Sequence, residues 1–241
     1  MDDVALAAHL AATAGRLLTT VQADGLLSGK ALGAAGDVIA HEYLVRALAE
    51  HRPDDGLLSE EGAADPARLA KRRVWIVDPL DGTREYSERR ADWAVHVALC
   101  IDGVARIGAV ALPAVDHLVL HSGASSLPAA PSGLKVVVSR TRPPAEAERA
   151  AKTLGAELIG MGSAGAKTMA VVRGEAHAYI HSGGQYEWDS AAPVAVAAAC
   201  GLHVSRIDGS PLIYNRPDPY LPDLIVCRPE LAEDILQAVR G

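Results

Sequence analysis

Apolar and polar residues alternate along this chain in two different rhythms. Residues 2–22 repeat apolar positions at helical spacing, which predicts a long first helix with Asp2 and Asp3 at its favoured N-terminal end. A glycine-containing loop is expected over 30–36, then a second helix that starts at Asp37 as N-cap and ends before Pro53. GLLSEEG reads as a short strand running into a turn. RVWIVDPLDG reads as a buried strand that stops at Asp78-Pro79. WAVHVALCIDG and VARIGAVALP read as two strands joined by a hairpin at Asp102-Gly103, with HLVLH as a third. After the loop-like stretch 122–133 the rhythm changes. Strand LKVVVS, helix 143–154, strand AELIG, helix 164–173, strand AHAYIH, helix 189–200, strand DLIVC and helix 229–240 follow in turn. Such alternation predicts an α/β (α+β) protein with an α+β half over 1–130 and an α/β half over 131–241.

Composition narrows this picture. The 241 residues are 49% hydrophobic and 22% charged, a globular balance that suits one large domain or two small ones. Net charge is −7 and no basic run of five or six residues occurs, so a nucleic-acid polymer is not expected as a partner. Phe is absent and aromatics make up 4%, so the core must be built from Ala, Val, Leu and Ile. Cys100, Cys200 and Cys227 lie in apolar runs without a CxxC pair, which predicts buried reduced thiols in a cytoplasmic protein rather than a zinc site. The N-terminus is acidic where a secretory signal would be basic. No uninterrupted apolar stretch approaches about 18 residues, so no membrane partner is expected.

Four acidic signals carry the candidate chemistry: Asp37, SEEG with Glu60 and Glu61, DPLDGT with Asp78 and Asp81, and WDSAAP with Asp189. The apolar strand VWIV delivers Asp78 to its end. A turn then brings the Asp81 carboxylate and the Leu80 carbonyl back toward it. Converging oxygen atoms suit a hard cation such as Mg²⁺. Gly82 and Thr83 present backbone N–H groups at a helix start, where an anion binds. Each signal has a plain structural alternative: DPLDGT as a surface turn, SEE as a solvated corner, Asp37 and Asp189 as helix caps. Their joint presence in this order favours metal-assisted phosphoryl hydrolysis.

At these residues, along nearly its whole length, the chain resembles the lithium-sensitive, Mg²⁺-dependent phosphatases related to inositol monophosphatase and fructose bisphosphatase. DPLDGT matches their signature D-P-[IL]-D-G-[ST], and Glu60-Glu61 and Trp188-Asp189 match the flanking acids. The resemblance implies a layered αβαβα sandwich. It implies that Glu60, Asp78 and the Leu80 carbonyl hold one Mg²⁺, that Asp78, Asp81 and Asp189 hold a second, and that Glu60 helps a weaker third. It also implies that water activated at this site attacks phosphorus in line, oriented by Thr83 with Asp37 behind it as proton acceptor. Glu61 has no metal role in this scheme, and a homodimer is compatible with it.

The residues after the signature, Arg84-Glu85-Tyr86, are similar to the K-E-[FY] of the 3′(2′),5′-bisphosphate nucleotidases, and GSAGAK is similar to their Gly-rich stretch ending in Lys. WDSAAP followed by GSPLIY also fits that branch, in particular its actinobacterial CysQ-type members. The implied substrate is 3′-phosphoadenosine 5′-phosphate, or its sulfated form, in sulfur assimilation. A second phosphate needs a cation away from the metals. Lys167 is the first candidate, reached through the Gly162-Ser163 loop, and Arg84 the second. Arg140 or Arg142 stands where many eukaryotic nucleotidases place a base-contacting His, which leaves room for inositol-1-phosphate or fructose-1,6-bisphosphate as the substrate. A reading from another class also exists. Gly160 to Gly165 spells GxGxxG, with Glu187 further on, as in a dinucleotide-binding oxidoreductase; it leaves DPLDGT unexplained. The histidines show no ligand spacing, and His96 reads as a sheet or core residue.

Overall fold

A computed structural model of the protein describes residues 1–63, 65–123 and 126–240. Helices α1 (Asp3–Asp24) and α2 (Gly29–His51) come first. The first sheet is formed by β1 (Gly56–Ser59), β2 (Arg73–Asp81), β3 (Ala94–Ile101), β4 (Val104–Leu112) and β5 (Leu118–His121), side by side in that order. The short helix α3 (Thr83–Ser87) leaves the end of β2. Then follow β6 (Lys135–Ser139), α4 (Ala145–Leu154), β7 (Glu157–Met161), α5 (Ala164–Val172), β8 (Ala178–Tyr186), α6 (Glu187–Ala199), β9 (His203–Ser205), β10 (Tyr220–Cys227) and α7 (Ala232–Arg240). Their second sheet has the order β7-β6-β8-β10-β9.

Period-2 alternation in the strands sorts the core into layers. Trp75, Val77, Val95, Val97 and Leu99 pack against α1 and α2. Their strand neighbours Val74, Ile76, Ala94, Ala98 and Cys100 face the opposite way, into a core shared with α5 and α6. The second sheet repeats this: Val137, Tyr179 and Val226 join the shared core, while Val136, Val138, Ile180 and Ile225 face α4 and α7. The result is the expected αβαβα sandwich. Small residues let its layers approach closely. A Cβ on Gly108 would lie 2.4 Å from the Ala192 carbonyl oxygen, so β4 and α6 meet almost backbone to backbone without an aromatic between them. Cys100 and Cys227 are buried outside any disulfide, as expected, whereas Cys200, expected to be buried too, is only partly so.

Several boundaries differ from the sequence reading. Helix α2 starts at Gly29, with Ser28 at the N-cap position, so Asp37 is in mid-helix and caps nothing. The glycines that suggest a loop serve contact instead. A Cβ on Gly33 would lie 2.6 Å from Ser87 Oγ, and one on Gly36 2.9 Å from Tyr86 Cε1. Glycine therefore lets α2 lie against α3, at a helix-propensity cost of about 1 kcal/mol each. Strand β2 likewise does not stop at Pro79. It resumes pairing with β3 at Asp81 after an irregularity that follows Asp78, because a bulge tolerates the missing N–H of proline. The three-residue β9 had no periodic signal. Helix α1 is long and apolar enough to cross a membrane by length and composition, yet Leu6, Leu10 and Leu18 on it are core residues at 3% exposure or less. The expected boundary at 122–133 includes Ala124 and Ser125, which lie outside the described residues.

Candidate active site

The bulge in β2 is what builds the site. Asp78 pairs with His96 and Asp81 with Ala94, so the strand spends one extra residue between two acids that both point toward α6. From the start of α6, Asp189 completes a trio whose carboxylate oxygens lie within 4.8 Å of one another. Asp78 and Asp81 are buried. In each member of the trio one oxygen is committed to the protein. Leu80 N–H donates to Asp78 Oδ1 at 3.0 Å, and Tyr186 N–H donates to Asp189 Oδ2 at 2.6 Å. Asp81 Oδ2 accepts from Ser163 Oγ at 2.5 Å and from Gly165 N–H at 2.7 Å. These bonds fix each carboxylate in place.

Electrostatics shows what the centre lacks. Burial, with Glu60, Asp81 and Asp189 close by, pushes the Asp78 carboxyl well above the ordinary carboxylate range. Burial and the Asp81 charge push Asp189 up to about 6. Burial, with the Asp189, Asp81 and Glu61 charges, pushes Glu60 up to about 7 against the lowering effect of its hydrogen bond with Asp78. Glu60 is exposed as a residue and sits at the rim, outside the tight trio. Asp81 alone is held down, to about 2: His96, Lys167 and Ser163 beside it outweigh its burial. Asp78 and Asp189, raised by burial and by the charges around them, and hard oxygen donors converging on one point fit a divalent cation.

Next to the trio, Thr83 Oγ1 lies 3.2 Å from Asp37 Oδ1 and 3.2 Å from the Leu80 carbonyl oxygen. The Leu80 carbonyl is thus turned toward the site. The contact of Thr83 with Asp37 depends on the close approach of α2 to α3. Burial and the Glu61 charge push Asp37 up to about 6, against the Thr83 hydrogen bond. Gly82 takes a left-handed φ of 90° at the head of α3, a conformation that glycine supplies. Ser163 also has positive φ, at 46°, an uncommon state for a residue with a Cβ. Its hydroxyl repays the strain: it donates to Asp81 and accepts from Ala166 N–H at 2.9 Å, capping α5.

The expected cations are placed differently. Lys167 is buried at 5% exposure, and its Nζ donates to the carbonyl oxygens of Gly162 at 3.1 Å and Ser163 at 2.7 Å, with the Tyr179 ring 5.2 Å away. It holds the 162–163 turn and is not the outlying free cation that a second phosphate calls for. Arg84 is exposed and paired with Glu88. Arg140 bridges to Glu85 at 2.7 Å, tying β6 to α3, and Arg142 contributes a backbone N–H to Ser139 Oγ. His96 is a core residue, as expected, but its Nε2 lies 3.1 Å from Asp81 Oδ2, an ion-pair contact too poorly aligned for a hydrogen bond. The register of β3 opposite Asp78 was the one signal for it. Asp92, which accepts from Gly162 N–H at 2.6 Å, had none.

The GxGxxG reading fails on the same residues. Gly162 and Gly165 give their amides to Asp92 and Asp81, and Glu187 is fully buried, accepting from the amides of Asn215 and Arg216. A family model, the inositol monophosphatase family, matches residues 5–241. The chain belongs to the inositol monophosphatase family. Among relatives in that family, it is 48% identical to the 3′-phosphoadenosine 5′-phosphate phosphatase of Mycobacterium leprae, over 100% of this chain and 94% of that protein. It is 51% identical to the protein of the same name from Mycobacterium tuberculosis, over 94% and 89% respectively. Among solved structures, CysQ from Bacteroides thetaiotaomicron is similar at a TM-score of 0.83 and 29% identity, covering 93% of this chain and 96% of that one. Its family is metal-dependent, in keeping with the acidic trio.

Proposed function

We propose that the protein is a Mg²⁺-dependent phosphomonoesterase that removes the 3′-phosphate of 3′-phosphoadenosine 5′-phosphate to leave AMP. The observation that carries this reading is the trio Asp78, Asp81 and Asp189, set beside the Thr83–Asp37 pair in a chain about half identical to proteins named for that reaction. Those three carboxylates would hold the cation, with Glu60 and the Leu80 carbonyl adding donors for two Mg²⁺ and Glu60 again for a third. Bound there, a divalent cation supplies positive charge to phosphate oxygens and acidity to water.

The chain's own groups do the rest. Thr83 Oγ1 has one proton to give and lone pairs to accept with. It orients water by accepting a hydrogen bond from it, while Asp37 takes up the proton released. Asp37 suits this role because its raised pKa places the acceptor nearer to neutrality than an ordinary carboxylate. The amides of Gly82 and Thr83 at the head of α3 bind phosphate oxygens, with Arg84 beside them. Ser163 and Gly165 keep Asp81 in position from the other half of the chain, and Lys167 braces the carbonyls of Gly162 and Ser163 in their turn. In this reading residues 1–130 carry Asp37, Glu60 and DPLDGT, residues 131–241 carry the 162–167 turn and Asp189, and catalysis occurs between them. The substrate is a small phosphate ester met in the cytoplasm by a monomer or homodimer, without nucleic-acid polymer or membrane.

A phosphate-release panel tests this. The enzyme, freed of metal by EDTA, is assayed on 3′-phosphoadenosine 5′-phosphate, inositol-1-phosphate and fructose-1,6-bisphosphate with and without added Mg²⁺. Fastest release from the nucleotide, dependent on Mg²⁺, is expected. Faster release from inositol phosphate would assign the chain to another substrate.

A further inference from the structure

Aromatic side chains are scarce in this protein, and their placement is uneven. The chain has three Trp, six Tyr and no Phe. Trp75, Trp93, Tyr86, Tyr179 and Tyr214 are buried in the core at 2% exposure or less. Tyr43 and Trp188 are partly buried and pack against core clusters. Only Tyr186 and Tyr220 are exposed, at 46% and 43%. Both stand in one place. They are paired across β8 and β10, and Tyr186 precedes α6, the helix that carries Asp189.

The local geometry makes a corner of flat rings. Tyr186 stacks on Trp188 with centroids 4.8 Å apart and planes 10° from parallel. Tyr220 stands nearly perpendicular to Tyr186, at 81° and 6.1 Å. The Tyr220 ring rests on Gly184, whose φ of 94° and missing side chain allow it: a Cβ there would lie 2.7 Å from the ring. Meanwhile the Tyr186 N–H holds Asp189 Oδ2 at 2.6 Å. The same residue therefore fixes a carboxylate of the proposed metal site through its backbone and offers an exposed ring through its side chain. A nucleotide needs both features, a phosphate site and a flat surface for its base, and here one residue belongs to both.

We infer that Tyr186 and Tyr220 form the base-binding platform, with the purine stacked on Tyr186 in continuation of the Trp188–Tyr186 stack and its edge against Tyr220. This rests on the bisphosphate-nucleotide reading above and adds to it the residues that select a base. The platform explains how a chain without Phe, and with Arg140 tied to Glu85, grips an adenine.

Its test compares AMP with ribose 5-phosphate, which carries the same phosphate without the base. Affinities for both are measured by Trp fluorescence titration or calorimetry on the Mg²⁺-loaded protein, for the natural chain and for Tyr186→Leu, Tyr186→Phe and Tyr220→Leu. Stacking on an aromatic side chain is worth roughly tenfold or more in affinity. The natural chain is expected to prefer AMP, and the preference to fall about tenfold in Tyr186→Leu, less in Tyr220→Leu, and to survive in Tyr186→Phe. The backbone bond to Asp189 is kept in all three, so ribose 5-phosphate, which differs from AMP only in lacking the base, reports any loss in a variant that does not come from the base. An undiminished AMP preference in Tyr186→Leu, or equal binding of the two ligands by the natural chain, overturns the platform. Failure of the natural chain to release phosphate from the bisphosphate nucleotide overturns the functional reading itself, and with it the platform.

Discussion

Replacing Asp189 by Asn should make the metal-free protein more stable while destroying its activity. In the folded state burial and the Asp81 charge raise the Asp189 carboxyl from an ordinary 3.8 to about 6. Well below pH 3.8 the group is protonated in folded and unfolded chains alike and costs nothing. As the pH rises, the unfolded chain ionises first, and the penalty on the fold is complete above pH 6. At about 1.4 kcal/mol per unit, the ionised carboxylate costs the metal-free fold up to ~3 kcal/mol at pH 8, and about half of that at pH 5. Asn removes the charge and keeps an oxygen for the Tyr186 N–H. Thermal unfolding by circular dichroism in EDTA is the assay. A gain of roughly 5–10 °C at pH 8, shrinking at pH 5, is expected. Added Mg²⁺ should raise the midpoint of the natural protein and leave the variant nearly unmoved. A variant less stable than the natural chain in EDTA at pH 8 would refute the claim that the acids repel one another.

Asp37→Ala should lower kcat by about 10²–10⁴. Because the Asp37 pKa of about 6 must be crossed for it to accept a proton, the natural enzyme should lose activity below pH 6, and the residual activity of the variant should lack that limb in a pH–rate profile. Gly165→Ala places a Cβ 2.0 Å from His96 Nε2 in the core and should cost ~1–3 kcal/mol in urea unfolding; an unchanged midpoint would show that His96 is free to move. Lys167→Met keeps the stem but strands the carbonyls of Gly162 and Ser163, and should cost ~1–3 kcal/mol. A stable variant with only a raised KM for the bisphosphate nucleotide would instead return Lys167 to the role of phosphate ligand.

Most of the layer architecture was legible because alternation of period 2 and helical spacing survive in an Ala- and Val-rich chain. What escaped has physical reasons. Gly33 and Gly36 resemble a loop, yet they sit where α2 touches α3, and helix–helix distance leaves no mark on local sequence. Pro79 resembles a strand terminator, yet the bulge admits it and supplies the spacing between Asp78 and Asp81. DPLDGT, Trp188-Asp189 and Asp37 were readable as a group, and the fold brings Asp78, Asp81 and Asp189 together with Thr83 and Asp37 alongside. Burial was the blind spot. Nothing in GSAGAK shows that Lys167 turns inward to its own loop, and nothing in EYSE shows that Glu85 pairs with Arg140 from the other half of the chain.

The most direct test of the central claim follows the products of 3′-phosphoadenosine 5′-phosphate by phosphorus NMR, using natural protein and Asp81→Asn at equal folded concentration. The account predicts that AMP and inorganic phosphate accumulate with the natural protein in Mg²⁺, that EDTA stops the reaction, and that Asp81→Asn is inert in both. Loss of the 5′-phosphate instead, or undiminished turnover by Asp81→Asn, would contradict it.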